Sequence, residues 1–425
     1  MPTAKLCSLP PQSDFGGVRH TGRGATYTKA DTWYPSWDRD GNLYSPYADG
    51  CVDPEPLVLC TWGQAMETFA RSLSCGGKTT ASKKSVTTGN AIIRGEDPLA
   101  LEVQPLAPCT LATPRFQGLY PCANLCHDGI WYQGSYYAHR FVDDAGRNIT
   151  YELGPFQGFR LSRDHGATWE PCPRDDSDPL FREHGRVAGG PPIRFGAPHV
   201  VDFGRNMAHS PTGHMYLVGH GSRFAHGVSN WIAGDAVFLA RVVPSPGTVN
   251  DPDAYEFFSG RSHTGDPIWG NDAALAQPII EWPWHCGCTT VTWLPALGRY
   301  IACISVGPAD GGGGCYDLWM ATSPDLCGPW SQFAYLESFG TQGYFANIPS
   351  KFLSEDNRTF WMFWSANWEQ GAWSNPPCSA YGLCAGEFEL MGPEGVNLRQ
   401  GPSWRRSREE WNVSAAGTPS ATGGA

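Results

Sequence analysis

A short turn-and-strand pattern, repeated five times, restricts the fold of this chain more than any other feature of its sequence. Each copy joins a turn containing Gly or Asn to a strand that begins with aromatic or aliphatic residues. The copies occupy residues 40–44, 128–132, 212–216, 297–300 and 355–360. They lie roughly 60 to 90 residues apart, which is longer than the repeats of regular propellers and leaves room for loops. Five blades of about four strands around one axis would use the chain and protect the sheet edges.

The rest of the chain also favours strands. Short runs rich in aromatic and β-branched residues lie between clusters of Gly, Pro, Asn and Asp, as in antiparallel sheets. The 425 residues include 51 Gly, 36 Pro, 18 Trp and 20 Phe, so the chain turns often and has ample core material. We therefore predict an all-β fold, a five-bladed β-propeller. A decorated β-sandwich explains the five copies less well. One helical pattern occurs, at residues 64–73.

The sequence indicates a single domain with accessory ends. We predict an N-terminal extension at residues 1–20, a β-propeller domain at residues 21–400 and a C-terminal tail at residues 401–425. Ser, Arg, Gly and Ala dominate the tail, a composition typical of disordered segments. No Pro/Ser-rich spacer divides the middle of the chain.

The net charge and the absence of long apolar stretches argue against nucleic acids and membranes as binding partners. The formal net charge is −11, and no basic run exceeds two residues. Nucleic-acid binding through phosphate neutralisation is therefore not expected. No apolar stretch approaches the ~20 residues of a membrane span, so we expect no membrane partner. We predict a monomer whose surface suits a neutral or cationic ligand.

Cysteines and sequons favour an extracellular protein, and the compartment stays open. The chain has 15 cysteines and three Asn-x-Ser/Thr sites, but its first residues form no hydrophobic signal segment. The cysteine spacing lacks the repeated C-x-x-C and His pattern of zinc sites. We predict disulfides or buried thiols in preference to a metal site.

Residues 162–169, Ser-Arg-Asp-His-Gly-Ala-Thr-Trp, match the Asp box pattern S-x-D-x-G-x-T-W at every defined position. The oxygens of Ser162 and Asp164 can bind turn amides, Gly166 can take a positive φ, and Trp169 can pack into the blade. We predict a structural hairpin turn, away from the functional site. Residues 321–330 contain a looser version that ends in Gly-Pro-Trp.

These hairpins resemble those of the propeller glycoside hydrolases, which include six-bladed sialidases and five-bladed arabinanases, xylosidases and invertases. Residues 31–44 resemble the first blade of the uncharacterised-domain group that includes bacterial endo-D-arabinanases, and residues 195–221 are similar to its third blade. The resemblance covers roughly residues 20 to 370. It implies a five-bladed glycoside hydrolase acting on a neutral polysaccharide or oligosaccharide, with a furanoside such as arabinan favoured.

Hydrolysis of a glycoside requires a carboxylic acid and a second carboxylate that acts as base or nucleophile. The resemblance implies that Glu281 is the acid, on the inner strand of the fourth blade. Apolar neighbours at positions 279, 280, 282 and 284 would raise its pKa. Asp31, on the first inner strand, is the predicted base or nucleophile, and Asp49 competes for that role. Each residue also has a purely structural interpretation: Glu281 as a glutamate on the rim, Asp31 as the cap of a turn, and Asp49 as part of an Asp-Gly turn.

The third blade departs from the resembling enzymes, because Ala197-Pro198 stands where they have Asp-Pro. His199 or Asp202 would then tune the acid, or the mechanism differs. Flat rings stack on sugars and polar groups bind their hydroxyls. On these grounds the further predicted substrate-binding residues are Trp33, Trp37, Trp284, His285, Arg194 and Asn347, with Trp269, Trp282 and Trp368 as additional aromatic candidates.

Four alternatives stay open. One is a protein-interaction propeller, which would show a flat apolar face and no paired carboxylates. A catalytically silent carbohydrate-binding propeller would fit the Ala197 departure. A sialidase would need three arginines, for which Arg194 and Arg205 are candidates, but the F/Y-R-I-P motif is absent. A polysaccharide lyase could use His199, His220 or His285 as base. The expected partner is a carbohydrate. No cofactor is expected except a structural Ca²⁺ in the axial channel, whose oxygen ligands leave no spacing signature.

Overall fold

The computed structural model describes residues 8–10, 14–52, 58–59, 85–86, 88–106, 113–114, 118–142, 148–224, 227, 229–307, 316–340, 342–366, 376 and 379–393. These residues form an all-β, five-bladed propeller, so the predicted fold class is confirmed. The helix predicted at residues 64–73, the tail at residues 401–425 and Trp368 lie outside the described residues. Within the described ranges, no helix has the length and apolar character needed to cross a membrane.

Twenty-seven strands occur in the described part of the chain. They are β1 (Gly17–Thr26), β2 (Lys29–Asp31), β3 (Ser36–Trp37), β4 (Leu43–Cys51), β5 (Val58–Leu59), β6 (Ser85–Val86), β7 (Thr88–Arg94), β8 (Glu102–Pro105), β9 (Thr113–Pro114), β10 (Gly118–His127), β11 (Ile130–Val142), β12 (Asn148–Ser162), β13 (Gly196–Val200), β14 (Met215–Gly221), β15 (Ser229–Asn230), β16 (Ala233–Gly234), β17 (Ala236–Val242), β18 (Glu256–Arg261), β19 (Pro267–Gly270), β20 (Pro278–Glu281), β21 (Thr289–Leu294), β22 (Arg299–Val306), β23 (Asp317–Ser323), β24 (Ser331–Leu336), β25 (Tyr344–Asn347), β26 (Thr359–Ser365) and β27 (Cys384–Met391). The helices described are 3₁₀ turns at Arg186–Ala188, Arg205–Met207, Pro252–Ala254, Ala273–Leu275 and Ser350–Phe352.

Each blade is an antiparallel sheet whose first strand lies next to the axis. The strand orders are β2-β4-β7-β8 in blade 1, β10-β11-β12 in blade 2, β13-β14-β17-β18-β19 in blade 3, β21-β22-β23-β24 in blade 4 and β25-β26-β27-β1-β5 in blade 5. In blade 3, β20 also pairs with β17, and in blade 1, β3 also pairs with β4. The inner strands are therefore β2, β10, β13, β21 and β25.

The five turn-and-strand copies of the sequence mark the same place in every blade. Each turn lies directly before the second strand, at the end of the inner-strand segment. Gly41, Gly129, Gly213 and Gly298 have positive φ in the first four turns, and Asn357 has φ 55° in the fifth. Reversal of a hairpin requires this left-handed conformation, which Gly and Asn adopt most readily. We call the face that carries these turns the lower face and the opposite face the upper face.

The N-terminal strand closes the ring. β1 is antiparallel to β27, with Gly17 opposite Met391 and Thr26 opposite Cys384, so the two ends of the propeller share blade 5. β1 begins within the predicted N-terminal extension at residues 1–20. Phe15, just before β1, packs its ring edge against Phe333 of blade 4 at 5.7 Å between centroids. The pairing of β1 with β27 joins the two ends of the ring, and the radial arrangement of the blades leaves only short, protected sheet edges.

Apolar side chains fill the spaces between adjacent blades. Phe181, Phe195 and Phe257 form one such cluster between blades 2 and 3, with ring centroids 5.0 to 5.4 Å apart. A fully buried aromatic or aliphatic side chain contributes about 1.5 to 3 kcal/mol to folding. Eight cysteines of the described residues are free thiols, and seven of them are buried, so they belong to this core.

Candidate active site

Asp31 lies at the end of β2, towards the upper face, with 4% of its surface exposed. Its carboxylate accepts a hydrogen bond from the hydroxyl of Thr32 at 2.9 Å. It also accepts one from the phenol of Tyr344, the first residue of the inner strand of blade 5. Donors from two blades therefore fix the orientation of this carboxylate next to the axis.

Asp49 and Tyr381 complete the group. β2 pairs with β4 so that Asp31 is opposite Ala48, which brings Asp49 next to this pair. The phenol of Tyr381 donates to the main-chain oxygen of Asp49 at 2.5 Å, and it also faces the Asp31 carboxylate. We call Asp31, Asp49, Tyr344 and Tyr381 the axial carboxylate cluster.

The phenols of the cluster stay protonated. Burial, and then the charge of Asp31, raise the pKa of both Tyr344 and Tyr381 well above the ordinary value of tyrosine. A phenol that keeps its proton can donate to a carboxylate, and hydrogen bonds of this kind favour the charged form of the acceptor. The arrangement is suited to holding Asp31 as an oriented anion.

Aromatic residues of blades 2 and 3 lie at the same level of the channel. Trp231, between β15 and β16, donates its indole N–H to the phenol of Tyr136 at 2.7 Å and packs against Tyr120 at 6.1 Å. Its carbonyl accepts from the N–H of Cys288 at the start of the blade 4 inner strand, at 3.0 Å. The half-buried Trp231 thus presents a flat ring at the upper end of the channel. A flat ring of this kind can stack on the apolar face of a ligand.

Below the cluster, the channel narrows to a cavity of about 40 Å³. His199 lines this cavity, is 3% exposed and packs edge-on against Tyr34 at 4.0 Å. Burial, and then the neighbouring His220, lower the pKa of His199 to about 3. Its Nε2 is buried and has no hydrogen-bond partner among the described residues. His199 is therefore a neutral core histidine, and its proposed contact with substrate has no support from its position.

Hydroxyl and amide groups line the channel below the axial carboxylate cluster. The hydroxyls of Thr290 and Thr292 donate to main-chain carbonyls at 2.7 Å each. The amide of Asn347 donates to the carbonyls of Trp33 and Phe345 at 2.9 Å each. These groups bond the inner strands to one another.

Asp202 lies far from Asp31 along the axis. Its carboxylate accepts from the N–H (2.8 Å) and hydroxyl (2.7 Å) of Ser350 and from the N–H of Gly204 (2.8 Å). Tyr344, which bonds Asp31, begins the inner strand of blade 5, whereas Ser350 lies beyond the other end of that strand. Asp202 therefore connects strand ends near the lower face, and the structure does not bring it to Asp31.

Glu281 differs from its predicted position. It lies on β20, which pairs with β17, the third strand of blade 3, and not on the inner strand of blade 4. Its carboxylate accepts from the guanidinium of Arg223 at 3.0 and 3.1 Å, and a third of its side chain is exposed. The apolar neighbours Ile280 and Trp282 are buried in the blade and leave the carboxylate at the surface. The sequence could not show that residues 256–281 form additional strands of blade 3.

Trp284 and His285 lie beside Glu281. Trp284 is 53% exposed and has a φ of 67°, and its N–H donates to the buried Asp235 at 3.2 Å. The His285 ring stacks on Trp282 with 4.2 Å between centroids. Phe224 is 44% exposed and lies next to Arg223. This surface of blade 3 therefore offers aromatic faces, separate from the axial carboxylate cluster.

Trp33 is a core residue, which corrects its prediction as a sugar contact. It is 1% exposed, stacks on Tyr47 at 5.3 Å and donates its indole N–H to the carbonyl of Ala30 at 2.7 Å. Both sides of the strand are packed here, so no face of the ring is free for a ligand. Trp37 is half-buried and packs against the same core.

Arg194 lines a cavity of about 430 Å³ at the rim between blades 2 and 3. Glu183 also lines it, and its carboxylate accepts from the N–H groups of Arg194 (2.9 Å) and Phe195 (3.0 Å). Burial raises the pKa of Glu183 to about 7, more than these hydrogen bonds lower it. Arg205 donates to the carbonyl of Arg39 at the lower face. The two arginines weighed for a sialidase therefore occupy different places.

Residues 162–169 form the turn after β12, at the lower face. Asp164 accepts from the N–H (2.8 Å) and hydroxyl (2.6 Å) of Thr168, and the hydroxyl of Ser162 accepts from the N–H of Gly166 at 2.7 Å. The ring of Trp169 packs against Trp131 at 5.0 Å. Asp164 is thus engaged within its own turn.

Sequence reasoning missed Tyr344, Tyr381 and Trp231. One signal was available for Tyr344, because it precedes Asn347 in a strand that the fifth copy of the repeat places at the axis. Tyr381 and Trp231 lie in connections between strands, where no periodicity indicates which way a side chain points.

Comparisons with known proteins show remote structural similarity. No protein-family model and no curated protein matches the chain. A protein from Bacteroides ovatus, considered to be a hydrolase, aligns over 93% of this chain and 97% of its own with 13% identity and a TM-score of 0.48. The GH43_1 enzyme from Xanthomonas citri complexed with xylotriose aligns over 88% and 92% with 15% identity and a TM-score of 0.42.

A family 117 glycoside hydrolase from the marine bacterium Zobellia galactanivorans aligns over 96% of this chain and 99% of its own, with 13% identity and a TM-score of 0.42. Similarity at this level assigns neither a family nor an activity to the chain, whose function is inferred below from its own residues.

Proposed function

We propose that this protein is a glycoside hydrolase that acts at the upper end of the axial channel. The observation that carries the proposal is the orientation of the Asp31 carboxylate by hydroxyl donors from blades 1 and 5. An anion fixed in this way costs no reorganisation when it removes a proton from water or attacks a sugar carbon. Asp31 is accordingly the base or nucleophile.

Asp49 is the second carboxyl of the proposed pair. It follows Ala48, the partner of Asp31 across the sheet, and its main chain is tied to Tyr381. Hydrolysis requires one carboxyl to protonate the leaving oxygen while the other directs the attack at the anomeric carbon. Asp49 would donate that proton, and Asp31 would take the proton of the attacking water or form the covalent intermediate. This assignment replaces Glu281, whose carboxylate binds Arg223 on an outer strand.

The substrate is proposed to be a neutral polysaccharide or oligosaccharide. The net charge of −11 and the two carboxylates of the cluster oppose an anionic substrate. Tyr120, Tyr136 and Trp231 supply aromatic surfaces beside the cluster. A furanoside such as arabinan is favoured by the sequence resemblance.

The proposal is tested by reducing-sugar release from a panel of neutral polysaccharides that includes arabinans. Asp31→Asn is expected to lower kcat by about 10² to 10⁴-fold, the usual contribution of a positioned acid or base. The matched control is Asp317→Asn. Asp317 also accepts from a tyrosine phenol, that of Tyr335 at 2.9 Å, but on the outer strands of blade 4. Activity of Asp31→Asn within about threefold of the control would reject the assignment.

A carbohydrate-binding propeller without activity is the second candidate. The exposed rings of Trp284 and Phe224 favour it, since Phe224 lies next to Arg223, the ion-pair partner of Glu281, and Trp284 follows Glu281 by three residues. In this case the wild-type protein would bind oligosaccharides in calorimetry and release no reducing sugar. Trp284→Ala would then weaken binding, and Asp31→Asn would leave it unchanged.

A further inference from the structure

Two turns of the lower face meet away from the proposed active site. The turn between β3 and β4 in blade 1 carries Asp38 and Asp40, and the turn after β12 in blade 2 carries His165. One ligand atom from each of these three side chains lies within 4.8 Å of the others. The contact links adjacent blades through side chains that are otherwise far apart in the sequence.

Asp38 is the central group of this trio. Its side chain is 1% exposed, and its Oδ2 lies 3.0 Å from Nε2 of His165. Its Oδ1 is buried and has no hydrogen-bond partner among the described residues. A buried carboxylate oxygen without a partner costs about 1 to 3 kcal/mol or more. This oxygen therefore has capacity for a further ligand.

The other two side chains are held in place. The His165 ring stacks on Tyr44 with 5.1 Å between centroids and 14° between planes. Asp40 accepts from the N–H of Asn42 at 2.8 Å and from the phenol of Tyr44 at 2.7 Å. Partial burial raises the pKa of Asp40, but the hydrogen bonds from Asn42 and Tyr44 outweigh it and lower the pKa below its ordinary value. Tyr44 thus contacts and orients both Asp40 and His165.

We propose that Asp38, Asp40 and His165 bind one divalent cation of the zinc class. Two oxygens and one imidazole nitrogen are donors that zinc accepts, with water as a fourth ligand. Ligands about 2.0 to 2.2 Å from a tetrahedral zinc ion lie about 3.3 to 3.6 Å from each other. Asp38 Oδ2 and His165 Nε2, hydrogen-bonded at 3.0 Å, would need to move apart by only a few tenths of an ångström to admit the ion. Calcium is excluded as the preferred ion, because it favours six to eight oxygens over nitrogen.

The surroundings allow the charge of such an ion. Lys351, between β25 and β26 of blade 5, donates to the carbonyl of Gly41 in the blade 1 turn at 2.7 Å and has its charge paired with Glu96 at 3.0 Å. The cation would tie the blade 1 turn to the turn at residues 162–169 and resist separation of blades 1 and 2. This role is independent of hydrolysis at the upper face.

The test uses the full chain, freed of metal by chelation, and titrates it with Zn²⁺ and Co²⁺ in calorimetry and visible absorption. We expect one equivalent to bind, with the intense d–d absorption of four-coordinate Co²⁺ and a rise in the unfolding temperature. His165→Gln and Asp38→Asn should each weaken this equivalent by at least about tenfold. His214→Gln is the control, because His214 is an exposed histidine that bonds Thr212 elsewhere on the lower face.

His165→Gln changes a half-exposed side chain, so it keeps the test decisive if Asp38→Asn fails to fold. Zinc affinity and unfolding temperature equal in wild type, His165→Gln and His214→Gln would overturn the proposal. Zinc bound with unchanged affinity by both Asp38 and His165 variants would place the ion at other groups, such as thiols, and would also overturn it.

Discussion

The axis and the outer part of blade 3 hold their charged groups in different ways. At the axis, Asp31 is buried and bonded by the hydroxyls of Thr32 and Tyr344. In the outer part, Glu281 is a third exposed and bonded by the guanidinium of Arg223. The guanidinium of Arg223 balances the charge of Glu281, whereas hydroxyls orient Asp31 without cancelling its charge. Position within the blade therefore decides which carboxylate is available for chemistry.

The axis and the rim between blades 2 and 3, where Glu183 lies, should also differ in how pH changes their contribution to stability. The two effects have opposite signs, and that of the rim is larger. The pKa of Glu183 is raised from 4.5 to about 7 by burial. Between these values the folded state binds more protons than the unfolded state, so stability increases as pH falls through 7 and levels off below 4.5. From pH 8 to pH 5, Glu183 should add about 2 to 3 kcal/mol to the free energy of unfolding.

The measurement is urea unfolding of wild type and Glu183→Gln at pH 8 and pH 5. The rise in the free energy of unfolding from pH 8 to pH 5 should be smaller in Glu183→Gln than in wild type by about 2 to 3 kcal/mol. A variant with the same pH dependence as wild type would show that Glu183 does not titrate in this range.

At the axis, the buried His199 should destabilise the fold in acid. Its pKa falls from 6.5 to about 3 on folding, so the unfolded state takes up a proton below pH 6.5 that the folded state refuses. Stability contributed by neutral His199 is therefore lost as pH falls from 6.5 towards 3. At pH 5 the loss relative to pH 8 should be about 2 kcal/mol.

His199→Gln should remove this loss in the same unfolding experiment. His139→Gln is the control, because burial lowers the pKa of His139 on a strand of blade 2 away from the axis while nearby carboxylates oppose the shift. Equal acid sensitivity of the His199 variant and wild type would contradict a buried neutral imidazole at the axis.

Tyr344→Phe removes one donor from Asp31 and should lower kcat by about tenfold, since a hydrogen bond to a charged group contributes about 1.5 kcal/mol. The Asp31 carboxylate would then be less stabilised relative to its acid form. The acidic limb of the kcat/KM profile should therefore move to higher pH. Tyr335→Phe, which breaks the Tyr335–Asp317 pair, is the control. Identical pH profiles for both variants would separate Tyr344 from the chemistry.

Glu281→Gln should have the smallest effect. An exposed ion pair contributes about 0 to 1 kcal/mol to stability, and we expect a change in kcat of less than about threefold. Reducing-sugar release and unfolding of this variant beside Asp31→Asn measure both quantities. A loss of activity comparable to that of Asp31→Asn would restore Glu281 as the acid.

The sequence predicts the fold better than the site for a physical reason. The five hairpin turns need a positive φ, and the Gly and Asn residues that provide it stand at fixed places before each second strand. These signals are local, so they can be found without knowing which strands pair. They set the number of blades and the position of the axis.

The site depends on contacts between distant parts of the chain. Asp31 could be chosen from its inner strand, but its donor Tyr344 lies 313 residues away in the sequence, in the adjacent blade 5. Glu281 was misplaced because β18, β19 and β20 enlarge blade 3, and apolar runs of similar character form inner and outer strands alike. Trp33 was misassigned because burial of a tryptophan depends on both neighbouring blades.

Closure of the ring by β1 has a consequence for biosynthesis. Of the described strands, β1 leaves the ribosome first and its partner β27 leaves last. The first strand therefore waits with an exposed edge, a template for pairing with other chains, until the final blade arrives. A nascent chain released before residue 384 would keep that edge open. The closed ring, which holds Asp31 against Tyr344, can therefore form only after β27 has been made.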